Sequence, residues 1–136
     1  MTSARRERSG DGAAAAVRSV VSPSAVPPLA HFSPGIRFGS LLFVSGQTAH
    51  EAGGFDAQTK AVLEKIGAIL RAAGTDYAHV LRCGVYLADI RDFPRMNEIY
   101  AEYFRDRPPA RTTIECKLAR ADILVEIDCV AAVPGS

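Results

Sequence analysis

The chain has 136 residues, a length suited to one domain, with 48% hydrophobic and 23% charged residues. Its 16 basic and 15 acidic side chains leave a formal net charge of +1. This argues against a nucleic-acid binder working through a bulk basic field, and no apolar run approaches the ~20 residues needed to cross a membrane. Three cysteines without a CxxC spacing do not make a disulfide framework or a zinc site; they suit a reducing cytoplasm.

Residues 1–30 are rich in Ala, Ser, Arg and Pro and hold no aromatic side chain. That composition predicts a flexible N-terminal extension, with a folded domain over 31–136. A first strand is expected within Phe32 to Phe38, turning at Gly39-Ser40 into a buried strand over Leu41 to Ser45. Thr59, Val62, Ile66, Ile69 and Ala73 then recur at helical spacing from Phe55 onward, and Gly74 stands where a helix-ending glycine belongs. Leu81, Cys83, Val85 and Leu87 share one parity of a strand over Val80 to Asp89. Asp92-Phe93-Pro94 reads as an acidic cap with proline in the first turn, opening a helix with Phe93, Met96, Tyr100 and Phe104 on its apolar stripe. Pro108-Pro109 stops it. Two strands, Arg111 to Leu118 and Ile123 to Ala131, close the domain, and their four-residue connector is the right length for a hairpin. The result is an α+β fold with helices on one sheet face; burying the other face calls for a homo-oligomer.

The nucleophile elbow, the phosphate loop and the HExxH zinc motif are all absent, and His31, His50 and His79 stand singly. Cys83, Cys116 and Cys129 are expected to be buried, inert thiols on strands. The last two strands carry the informative pattern. If they pair as a hairpin, Arg111, Thr113 and Glu126 face one side of the sheet. The guanidinium can hold a carboxylate through two hydrogen bonds, and the carboxylate can orient or deprotonate a water. The same pattern also suits a solvated face or intersubunit salt bridges.

Pro109-Ala110-Arg111, followed by Ile114, Lys117, Ala119 and Val125-Glu126-Ile127, resembles the C-terminal signature of the RidA/YjgF family of reactive enamine/imine deaminases. Phe43-Val44-Ser45-Gly46-Gln47 and Ala72-Ala73-Gly74 extend the resemblance over most of residues 31–133. It implies a chorismate-mutase-like fold, two helices on one face of a mixed sheet, and a homotrimer with sites between subunits. Neither a metal nor an organic cofactor is implied. Arg111 then matches the carboxylate-binding arginine and Glu126 the acid that positions the hydrolytic water. Ser45 and Gly46 line the site. Phe32 stands where a tyrosine is usual, and Thr113 where a cysteine is usual. The implied reaction is hydrolytic deamination of small carboxylate-bearing imines and enamines to 2-ketoacids and ammonia, as for 2-iminobutanoate or 2-iminopropanoate. The alternatives are a larger enamine acid, such as aminomuconate, or a non-catalytic trimeric binder of small carboxylates. Neither a nucleic acid nor a membrane is expected as a partner.

Overall fold

The computed structural model describes residues 17–135. Strands β1 (Ser19–Val21), β2 (Gly35–Phe38), β3 (Leu41–Gln47), β4 (Val80–Leu87), β5 (Ala110–Glu115) and β6 (Val125–Ala132) form one mixed sheet in the order β1-β2-β3-β6-β4-β5. Helices α1 (Phe55–Ala72) and α2 (Phe93–Tyr103) pack on one face. Strict alternation makes that face dry: Leu42 and Val44 of β3, Cys83, Val85 and Leu87 of β4, and Val125, Ile127, Cys129 and Ala131 of β6 are buried. They meet Val62, Leu63, Ile66, Ile69 and Leu70 of α1 and Met96, Ile99 and Tyr100 of α2. Each such aliphatic side chain contributes about 1.5–3 kcal/mol by leaving water.

Helix α1 ends as its sequence predicts. Gly74 has φ of 86°, its N–H donates to Arg71 O at 3.0 Å, and Thr75 N–H donates to Leu70 O at 3.0 Å, which closes the last turn. The start of α2 differs from expectation. Asp92 makes no capping hydrogen bond; a short 3-10 turn over Ile90–Asp92 precedes the helix, and Asp89 is the side chain that accepts from Arg91 N at 2.9 Å. In β4 the register shifts between Val80 and Arg82, so Val80 is buried and Leu81 is turned outward, against the parity expected for it.

Two larger expectations are corrected. The sheet reaches back before residue 31: β1 pairs with β2, with Ser19 opposite Arg37, and Val26 is buried in the core. An edge strand and one apolar anchor suffice to hold residues 19–30 against the domain; residues 1–16 of the expected extension lie outside the described residues.

The expected C-terminal hairpin does not form. β5 pairs only with β4, in parallel, because the chain reaches it by crossing over through α2. β6 then inserts antiparallel between β3 and β4. The connector from Cys116 to Leu124 runs past the end of β4 and is tied down by Gln58 of α1, whose Nε2 donates to Asp122 O and whose Oε1 accepts from Leu124 N. Cys116 falls just beyond β5 and is half-buried, not a core thiol. Cys83 and Cys129 are buried as expected; burial pushes the Cys83 thiol up to about 11 and raises that of Cys129 further.

Candidate active site

Register decides where the site residues point. Arg111 lies beside Cys83 and Thr113 beside Val85, so both side chains project to the helix side of the sheet. Glu126 lies beside Tyr86, and both project to the outer face. The expectation that Arg111, Thr113 and Glu126 share a face is therefore overturned: the parallel β4–β5 pairing sets Arg111 and Thr113 against Glu126. Within one chain the candidate groups form two separate clusters, each a candidate half-site.

The first half-site is built on the edge strand β5 and the first turns of α2. Arg111 Nη2 donates to Asn97 Oδ1 at 2.7 Å, and its guanidinium lies 4.8 Å from the Tyr100 ring centroid and 5.6 Å from that of Phe93. Two rings and one amide hold the fork in place, and cation–π attraction offsets part of its desolvation. Among the described residues Arg111 has no carboxylate partner, so most of its five N–H donors remain for a ligand. Thr113 Oγ1 is buried here without a hydrogen-bond partner among the described residues.

The second half-site gathers around Glu126. Gly46 lies beneath the carboxylate, and a Cβ there would overlap Glu126 Oε2, so glycine is what lets the acid lie flat against β3. Ser45 Oγ donates to Ser33 O at 2.6 Å and thereby fastens the segment bearing Phe32 to β3. Glu126, Gly46, Phe32, Leu29 and Ile123 line a cavity of about 480 Å³, with His50 and Arg120 at its rim. Phe32 is 43% exposed toward it. The Glu126 carboxyl makes no ion pair or hydrogen bond among the described residues; burial, and then the neighbouring Asp128 charge, hold its pKa above the usual carboxylate range.

The described residues contain no group of three His, Cys, Asp or Glu placed to hold a metal ion, and no helix long and apolar enough to cross a membrane.

The family model described as Endoribonuclease L-PSP matches residues 22–133. The chain is 39% identical over 119 residues to the RutC family protein PH0854 of Pyrococcus horikoshii, covering 82% of this chain and 94% of that one. A crystal structure of YyfA from Yersinia pestis, of the conserved Rid protein family, superposes with a TM-score of 0.78 at 30% identity, covering 86% of this chain and all of the other. The chain belongs to the RidA/YjgF family. It is also 38% identical over 122 residues to the chloroplastic Reactive Intermediate Deaminase A of Arabidopsis thaliana, covering 84% of this chain and 65% of that one.

Of the residues the sequence singled out in this Rid-family chain, Gly46, Phe32 and Glu126 line one cavity, Ser45 lines a neighbouring one that shares Phe32, and Arg111 and Thr113 lie on the helix side. Sequence reasoning passed over Asn97 and Gln58. Asn97 sits one residue after Met96 on α2 and carries no signal until β5 is known to run beside that helix. Gln58 is a buried polar side chain in the first turn of α1, where polarity alone suggests exposure.

Proposed function

We propose that the protein hydrolyses reactive 2-imino acids, and the enamines that tautomerise to them, to 2-ketoacids and ammonia, working as a homotrimer with its sites between subunits. One observation carries this reading: a half-buried arginine and a half-buried carboxylate, neither with an oppositely charged partner among the described residues, stand on opposite faces of one sheet. Neither half-site is complete alone. Pairing the helix side of one subunit with the outer face of the next would set the two against a single ligand. The outer face also exposes Phe43 and Ile114, each 45% accessible, which an oligomer would cover.

In this reading Arg111 binds the substrate carboxylate and fixes the imine carbon near Glu126. The imine is already electrophilic, so positioning and one acid–base group suffice. Water adds to the imine carbon while Glu126 moves one proton from it to nitrogen, giving a carbinolamine. The hydroxyl proton then follows by way of Glu126 as the C–N bond breaks, and ammonia leaves as the carbonyl forms. Membership of the family and the likeness to a reactive intermediate deaminase support this chemistry. The near-neutral charge gives no comparable support to nucleic-acid cleavage. The 480 Å³ cavity and Phe32 favour a second substrate within the same chemistry, an imino or enamine acid with a larger apolar side chain.

The test is a coupled assay in which an amino-acid oxidase generates imines from a panel of amino acids and 2-ketoacid release is followed. Release accelerated by the protein across several imines supports the reading. Release unchanged for every imine overturns it.

A further inference from the structure

We propose that Asp128, anchored by Tyr86 and the backbone of Gly84, is a positioning residue that keeps a proton on Glu126 until the imine nitrogen takes it. The inference rests on the deaminase reading above and adds to it the protonation state in which the site waits.

The geometry is set by β4 and β6. Asp128 lies opposite Gly84 and Glu126 opposite Tyr86, all on the outer face. Asp128 Oδ2 accepts from Tyr86 Oη at 2.9 Å and Asp128 Oδ1 accepts from Gly84 N at 3.1 Å. A Cβ at Gly84 would stand 2.6 Å from Asp128 Oδ1 and 2.7 Å from Tyr86 Oη, so the missing side chain is what admits both groups. Two donors aimed at one carboxylate hold it in place on the outer face. Glu126 has no such donors among the described residues. It is two residues from Asp128 on the same face, about 7 Å along the strand. A fixed negative charge at that range, beside a half-buried carboxyl, favours the neutral acid.

The other charged groups around Glu126 do not cancel this. From β3 it meets Gly46, which carries no charge, and from β4 the phenol of Tyr86; Arg82, on the same face of β4, donates to Thr112 Oγ1 at 3.3 Å. Arg120, from the connector before β6, is committed to Asp122 at 2.9 Å, and His50, from the turn after β3, lies 3.8 Å from Glu51. The direction of the Glu126 shift, upward through burial and Asp128, agrees.

The chemistry follows. Neutral Glu126 gives its proton to the imine nitrogen, making an iminium and a carboxylate. Water adds to the iminium carbon as Glu126 recovers a proton from it. That proton moves to the amine, ammonia departs, and the hydroxyl proton returns to Glu126. The balance is imine plus water to ketoacid plus ammonia, and the acid is regenerated.

The test combines pH profiles of imine hydrolysis with a pH titration of the protein labelled with ¹³C at its glutamate carboxyls, on the wild type, Asp128→Asn, Tyr86→Phe and Glu126→Gln. Glu126→Gln identifies the Glu126 resonance. Asp128→Asn should move the Glu126 titration down toward the ordinary carboxylate range and lower kcat/KM on the alkaline side by about three- to tenfold. Tyr86→Phe keeps the ring and should act in the same direction, more weakly. A Glu126 titration unmoved in both variants overturns the proposal, whatever the activity. If the titration moves while Glu126→Gln still hydrolyses imines at the wild-type rate, the deaminase reading of Glu126 has failed and the proposed role falls with it.

Discussion

Among the described residues no carboxylate pairs with Arg111, which is held between Phe93, Tyr100 and Asn97. Arg111→Ala should therefore weaken binding of substrate and of a competing 2-ketoacid alike. A charge-assisted hydrogen bond contributes about 1.5–3 kcal/mol, which corresponds to a loss of roughly 10- to 150-fold. Arg111→Lys should recover only part, because lysine offers a point charge and cannot stack on the two rings. Calorimetric titration with a ketoacid measures both, and equal affinity in the alanine variant would remove Arg111 from the site. Glu126 supplies the opposite case. Its carboxyl holds a proton more tightly in the folded protein than in the unfolded chain, through burial and Asp128. Its contribution to stability is thus present below the unfolded pKa and is lost as pH rises through the folded one. Glu126→Gln should match the wild type at about pH 3.5 and be more stable than it at about pH 7.5, in denaturant melts at the two values. A glutamine variant less stable than the wild type at neutral pH would show that the carboxylate is held by favourable contacts rather than strained by burial.

Helix α1 shows at the scale of an element how packing can reverse an intrinsic preference. Gly67 lies inside the helix, where exchange for alanine ordinarily gains about 1 kcal/mol. Here Tyr77 crosses the helix at that point and donates from Oη to Leu63 O at 2.7 Å, and a Cβ at residue 67 would stand 2.8 Å from Tyr77 Cζ. Gly67→Ala should cost about 1–3 kcal/mol by overpacking. In a Tyr77→Ala background the same change should turn stabilising. A thermal-denaturation cycle over the four proteins reads the coupling, and additive effects would mean that the tyrosine does not set the glycine. Helix α1 itself was legible in the sequence because a long apolar period and a C-terminal glycine are local signals. So were the alternating strands β3 and β6. Strand neighbours were not legible, since alternation states which residues share a face of one strand and says nothing of which strand lies beside it. Arg111 to Leu118 and Ile123 to Ala131 read well as a hairpin by parity and connector length, yet β4 separates the strands that form there. Arg111 and Glu126 could be named from the motif that carries them, while their opposite orientation depends on a crossover through α2 that no short pattern records.

That orientation makes a demand on the whole molecule. Arg111 emerges on the helix side at the sheet edge and Glu126 on the outer face, so a site that uses both must take them from different copies of the chain. Two inactive variants should then repair one another. Arg111→Ala retains Glu126, and Glu126→Gln retains Arg111; in a mixed trimer an interface that takes its arginine from one and its glutamate from the other is intact. With random assembly from equal amounts, about a quarter of the interfaces are of that kind. Co-expression of the two variants should therefore restore about a quarter of wild-type imine hydrolysis, while the same proteins mixed after assembly, without subunit exchange, stay near the level of either alone. Sedimentation of each variant as a trimer is the accompanying measurement. A site contained in one chain predicts no restoration at any mixing ratio, because every chain in the mixture lacks one of the two groups. Trimeric co-expressed protein without recovered turnover would therefore refute the division of the site between subunits, even if Arg111 and Glu126 each proved necessary.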